Sequence, residues 1–235
     1  MTTIDIIIRL HAIIGVVALA AFWTAGLARK GSPIHVQAGR VFLLAMVSLL
    51  TLAIPMCVQR IAAGQASGWF FAYLLVITAT ASWSAWRSIR LKRDFARYTG
   101  VAFRTVAALN IATGAAMLAF GLFRGSVIFI GFSAIGVVGG LRMLQLARRG
   151  PKDARWWMRE HLGGMTGNAI ATHIAFFSIG LPKLLPMLSG PVLSQLAWFG
   201  PLVLAFAAQH WATRKYVGTA AARLPQSATL PASQS

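Results

Sequence analysis

The chain has 235 residues, of which 57% are hydrophobic and only 11% charged, with a mean hydropathy of +0.69. A soluble domain carries about 25% charged residues, so this composition excludes water as the main solvent. The formal charge of +18 invites a nucleic-acid reading, but the basic residues sit between apolar runs and leave no basic domain able to form a strand-binding groove, so no nucleic-acid partner is expected.

In hydrocarbon every backbone N–H and C=O must be paired internally, and each spanning helix needs about 20 mostly apolar residues. The apolar runs are that long and lack the ten-residue alternation of a β-barrel. They predict an all-α, polytopic transmembrane helix bundle over residues 1–216 with seven spans. The first covers about 4–28; Met1-Thr2-Thr3-Ile4-Asp5 ahead of it carries no basic segment, so it is expected to be retained rather than cleaved as a signal. The second, about 39–62, contains Pro55 and the single cysteine, Cys57, which precludes an intrachain disulfide. The third covers about 68–91. The fourth and fifth, about 101–122 and 126–147, are parted only by Phe123-Arg124-Gly125-Ser126, but a single helix across both would overshoot any bilayer. The sixth runs over about 156–181, and the seventh, about 192–213, contains Pro201. Residues 217–235 are small, polar and Pro-containing, and read as a disordered cytoplasmic tail.

Orientation follows from Lys and Arg in the short connections. One side holds Arg29, Lys30 and Arg40, the six from Arg87 to Arg104, the six from Arg142 to Arg159, and Arg214, Lys215 and Arg223; the other holds Arg9, Arg60, Arg124 and Lys183. That is 18 against 4 with strict alternation. The expectation is a multi-pass protein of a bacterial-type inner membrane, N-terminus outside and C-terminus cytoplasmic.

Polar side chains inside a membrane are costly and therefore informative. His35, His161 and His210 fall near the cytoplasmic boundary, while His11 and His173 belong to the outer half. Imidazoles from different helices of a bundle are the usual axial ligands of b-type haem. The inner cluster of His35, His161 and His210 and the outer pair of His11 and His173 are thus candidate cofactor-binding residues for haem b, in a module exchanging electrons with a membrane redox partner or quinone. Met165, four residues after His161, shares its face as a candidate second ligand, and Gly163, Gly164 and Gly167 would leave room for a flat group. His161 and His173 are separated by about 120° around their helix, which argues against two haems on one face.

Plainer roles fit the same residues. Gly163-x-x-x-Gly167 is a common helix-packing pattern in membranes, and interfacial histidines can simply be hydrated. Alternatively His35, His161 and His210 form a zinc site with Glu160 as base, the arrangement of a membrane metal-dependent hydrolase, although no H-E-x-x-H spacing supports it. The only acidic residues, Asp5, Asp94, Asp153 and Glu160, avoid the middle of every span, whereas ion-coupled transporters place carboxylates there; a non-enzymatic accessory or transport role is the remaining alternative. Asn110, Asn168, Ser82 and Ser84 are expected to hydrogen-bond between helices. Trp69, Trp156, Trp157, Trp198 and Trp211 are expected in an interfacial aromatic belt, and Trp83 and Trp86 in the belt or the bundle interior.

Three segments carry a resemblance: His11-x-x-x-Gly15 with an apolar run to Gly26; His35-x-x-x-Gly39-Arg40-x-Phe42; and Trp157-Met158-Arg159-x-His161-x-x-Gly164-Met165-x-Gly167. Together they touch about a third of the chain, and they resemble the bacterial membrane proteins catalogued as domain of unknown function 2306. The resemblance implies a multi-helix bundle with His11, His35 and His161 as the positions of interest, and no stated activity. Family members have an arginine directly after the second histidine, where this chain has Val36; His173 and His210 match no family motif.

Overall fold

The computed structural model describes residues 2–151, 153–187 and 190–218. Helix α1 (Thr3–Leu27) starts at a reciprocal cap in which Thr2 and Asp5 bond each other's backbone N–H, satisfying donors that a helix start leaves open. Ser32 caps α2 (Pro33–Ala62), which begins six residues before the expected span and continues through Pro55. Next come α3 (Ala66–Arg90), the single turn α4 (Phe95–Tyr98) and α5 (Val101–Arg124). Gly125, at φ +61°, ends α5, and Ser126 caps α6 (Val127–Arg149); only glycine enters that left-handed region without strain. Then α7 (Trp156–Ile174) runs into a π-helical stretch, Ala175–Gly180, and a last turn, α8 (Leu181–Leu184). Finally α9 (Pro191–Thr213) leads into a wider turn, Arg214–Gly218. The described residues contain no strand. Residues 219–235 of the expected tail lie outside the described residues, and Val217, placed in the tail from sequence, is buried.

Helices neighbouring in the bundle run antiparallel. Phe22 of α1 meets Phe42 of α2, and Ser82 of α3 bonds Asn168 of α7. Trp83 of α3 stacks over Phe103 of α5, and Gly121 of α5 lies against Ile130 of α6. The contacts alternate in direction, so the C-terminal ends of α1, α3, α6 and α9 share one end of the bundle with the N-terminal ends of α2, α5 and α7. Most of the lysines and arginines collect there.

Among the described residues, six helical stretches are long and apolar enough to cross a membrane: Thr3–Leu27, Pro33–Ala62, Ala66–Arg90, Phe95–Arg124, Val127–Arg149 and Pro191–Gly218. Their lipid-compatible faces carry exposed Ile13, Val16, Leu44, Val47, Leu118, Val203 and Leu204. The chain is a multi-pass membrane protein by these features. Helix α7 is the exception in composition, with Arg159, Glu160, His161, Thr166, Asn168 and Thr172 in its sequence. It is also among the most enclosed, burying Gly164, Thr166, Asn168, Ala169, Ile170, Thr172 and Ile174. A helix surrounded by protein can carry polar groups that find partners there, which lowers its hydropathy without exposing them to lipid.

Three apolar clusters hold the bundle. Ala18, Ala21, Phe42, Ala45, Met46 and Leu49 join α1 to α2; Phe70, Tyr73, Met117, Phe132, Ile170 and Ile174 join α3, α5, α6 and α7; Tyr98, Phe103 and Trp156 pack at the basic end. Trp156 is therefore interior rather than part of a belt, and Trp198 packs on Phe70 and Phe132, while Trp69 and Trp211 are more than half exposed as belt residues would be.

Candidate functional site

His35 lies in the first turn of α2, where the Ser32 cap holds its backbone N–H and turns its ring back towards the end of α1. The ring Nδ1 is 2.8 Å from the Ala25 carbonyl. A carbonyl oxygen only accepts, so Nδ1 carries the proton and Nε2 keeps its lone pair. His161, in the second turn of α7, repeats the arrangement against α3, with Nδ1 3.1 Å from the Ala85 carbonyl. His35 and Lys30 both lie near enough to act electrostatically on the His161 ring. His35 and His161 thus lie within electrostatic reach of each other, each in the tautomer that metal-ligating imidazoles adopt when a backbone carbonyl orients them.

Lys30 closes this end. Its ammonium donates to the Ala25 carbonyl at 3.2 Å and to the Gly26 carbonyl, caring for acceptors that the end of α1 leaves open. Burial pushes its pKa below the ordinary lysine value. The Ala25 carbonyl is thus shared between Lys30 and His35, which ties the charged group to the imidazole through one oxygen. In the sequence Lys30 reads only as a topological charge. Its place four residues past Gly26 and five before His35 was the available signal.

His210 is exposed on α9, and its neighbour Gln209 is the residue that faces α7 at Gly163. The described residues contain no group of three or more His, Cys, Asp or Glu side chains disposed to share a metal ion. Glu160 accepts a hydrogen bond from the buried Tyr98 hydroxyl at 2.9 Å. Tyr98 went unremarked in the sequence, because nothing local links residues so far apart. The other carboxylates have structural partners: Asp5 caps α1, Asp94 caps α4, and Asp153 pairs with Arg159 at 2.8 Å.

The outer histidines are apart. His173 donates from Nδ1 to its own helix at Ala169, 2.7 Å away, and its Nε2 accepts the Trp23 indole N–H at 3.1 Å. Phe22, Trp23 and Phe177 surround the ring, so both nitrogens are already engaged. His11 lies 12 residues before Trp23, about 18 Å along α1, with its Nδ1 buried and without a hydrogen-bond partner.

The expected room for a flat group along α7 is filled. A Cβ on Gly164 would come within 2.6 Å of the Ala81 carbonyl and 2.7 Å of the Ala85 nitrogen, and one on Gly167 within 2.8 Å of the Ala81 Cβ. These glycines let α3 and α7 touch through their backbones, the packing role of small residues in membranes. Gly163 instead points towards Gln209. Met165 packs its side chain against the α1–α2 cluster. Asn168 and Ser82 join α7 to α3 at 2.6 Å, and Asn110 of α5 donates to Thr80 of α3 at 2.8 Å, the interhelical bonds expected of these residues.

No family model matches the chain, and no curated protein or solved structure matches it.

Proposed function

We propose that this is a seven-span membrane redox module of a bacterial-type inner membrane, N-terminus outside, in which His35 and His161 would hold a b-type haem near the cytoplasmic face. The observation that supports the reading is the two imidazoles, each held at Nδ1 by a backbone carbonyl, of α1 for His35 and of α3 for His161, and each with its Nε2 lone pair uncommitted. A b-type haem requires only two protein donors, because its macrocycle brings the rest, whereas a catalytic zinc needs three. The donor set thus fits haem better than the hydrolase alternative. Lys30 supports the same assignment, since a cation beside the pair suits the carboxylates that haem carries. When bound, the group would supply one-electron chemistry; the protein's part is to fix both tautomers, exclude water with the α1–α2 cluster and hold positive charge at the rim.

Seven crossings are favoured because α7 lies antiparallel to α3 and α9 and continues helically to Leu184, and because 18 basic residues against 4 then obey the positive-inside rule. His11, His35 and His161 are also the positions that the resemblance to domain of unknown function 2306 singles out, and membership of that family is part of the proposal.

The test is a reduced-minus-oxidised visible spectrum of the detergent-purified full chain, produced with ample iron and haem precursor. A sharp α-band is expected, lost in both His35→Ala and His161→Ala and kept in His173→Ala and His210→Ala. A featureless spectrum from folded wild-type protein overturns the haem reading, as does a band that survives both inner substitutions. Reporter fusions at the connections after α1 and after α2 test the orientation, which fails if the first is found outside.

A further inference from the structure

The basic end of the bundle holds far more positive charge than the protein itself neutralises. The chain has 22 lysines and arginines against four carboxylates; Arg159 pairs with Asp153, and Arg90, Lys92 and Arg93 make no ion pair among the described residues. Around the end of α3 the imbalance has a defined shape. Arg90, Lys92 and Arg93 are exposed in consecutive turns of chain. The Arg90 guanidinium lies 5.8 Å from the centre of the Trp86 ring, and the Lys92 ammonium 5.8 Å from that of Trp157. Arg87 lies 4.9 Å from the Trp83 ring and donates to the Arg97 carbonyl at 2.6 Å, tying the α4 turn to α3. The nearby carboxylates are occupied, Asp94 as the cap of α4 and Glu160 by Tyr98.

An orientation signal requires only charge in this connection. It does not require cations laid on indole faces, nor an indole such as Trp86 left 50% exposed beside Ile89 at 40%. An exposed indole at the end of a spanning helix sits at headgroup depth, and a cation resting on it is held at the same depth, where lipid phosphates are. We infer that Trp86, Arg90, Lys92, Arg93 and Trp157 form a docking surface for an anionic phospholipid headgroup, with acyl chains running down the apolar face of α3 beside Trp86 and Ile89. Charge complementarity selects this occupant: the surface has three exposed cations that make no ion pair among the described residues, and an apolar neighbour on its membrane side. Basic clusters at helix ends are an established means of recognising anionic lipids. The surface is separate from the His35–His161 pair and does not depend on the haem reading.

The test titrates phosphatidylglycerol against phosphatidylcholine into the detergent-purified full chain and counts bound lipids by native mass spectrometry. Wild-type protein is expected to retain phosphatidylglycerol in preference. The variant with Arg90→Gln, Lys92→Gln and Arg93→Gln should lose about tenfold of that preference, while one with Arg142→Gln, Arg148→Gln and Arg149→Gln, equal in charge removed, should keep it. Equal losses in the two variants would mean a diffuse field rather than a site, and would overturn the inference. Should the first variant fold poorly, Trp86→Leu in the otherwise unaltered chain provides the same decision: the preference must fall although no charge has been removed. An unchanged preference in Trp86→Leu refutes the surface as drawn.

Discussion

Gly164→Ala adds one methyl group where α3 and α7 are in backbone contact. The new Cβ would lie 2.6 Å from the Ala81 carbonyl oxygen and 2.9 Å from the Ala85 Cβ, against an ordinary contact of 3.4 Å or more. Relief needs about 0.8 Å of separation between two helices whose backbones cannot rotate out of the way. That movement weakens the Ser82–Asn168 bond, now 2.6 Å, and takes the His161–Ala85 bond, now 3.1 Å, beyond hydrogen-bonding reach. Overpacking typically costs about 1–3 kcal/mol, and weakening the bonds adds about 1 kcal/mol, so a loss of about 2–4 kcal/mol is expected. Reversible unfolding in mixed micelles, monitored by helicity, reads it directly. Gly163→Ala is the internal control, because its Cβ meets only the end of the Gln209 side chain at 3.6 Å; it should change stability by less than about 0.5 kcal/mol. Equal effects at the two neighbouring glycines would refute the α3–α7 contact as described.

Tyr73→Phe removes a hydroxyl that donates to the Phe132 carbonyl at 2.8 Å and accepts the Gly136 N–H at 3.0 Å; a loss of about 1–2 kcal/mol in the same unfolding assay is expected. Asn168→Ala removes the acceptor of the Ser82 hydroxyl, but that hydroxyl can turn back to its own helix, so the expected cost is smaller, about 1 kcal/mol. Lys30 gives a pH dependence. Burial depresses its folded pKa, so between that value and the ordinary one near 10.5 the unfolded chain holds more proton and stability rises with pH. Unfolding measured on the approach to pH 10.5 should show this rise in wild type and lack it in Lys30→Met; a parallel pH response in both would refute the assignment.

That the chain is a bundle of long apolar helices was legible, because a bilayer imposes its thickness on apolar run length, and six helical stretches among the described residues meet that length and composition. The Gly125 break shows the limit of that logic: the four-residue interruption announced a turn, and a single left-handed glycine makes it. Depth placed His35, His161 and His210 at one level, and the structure sets His35 within electrostatic reach of His161. Depth does not specify azimuth, which is why His210, at the same expected level, faces away while Gln209 faces α7. His11 and His173 were grouped by half of the membrane, too coarse a measure to see the distance between them along α1. The glycines after His161 fitted both a ligand cleft and a helix contact, and only the position of Ala81 and Ala85 decides between them. Tyr98 to Glu160 and Trp23 to His173 are long-range pairings with no local signature.

Helix α7 explains why the packing and the candidate chemistry cannot be separated. Ala85 supplies the backbone against which Gly164 closes, and its carbonyl orients His161. The small residue that admits close approach therefore also sets the distance at which the imidazole is held. The same proximity lets Asn168 reach Ser82, so polar groups that would be expensive in lipid acquire partners within the protein. An α7 of uniformly apolar, bulkier residues would cross a bilayer more readily by itself, but it would stand further from α3 and leave the Ala85 carbonyl without an imidazole to orient. The low hydropathy of this helix thus goes with polar groups that find their partners on α3 inside the bundle.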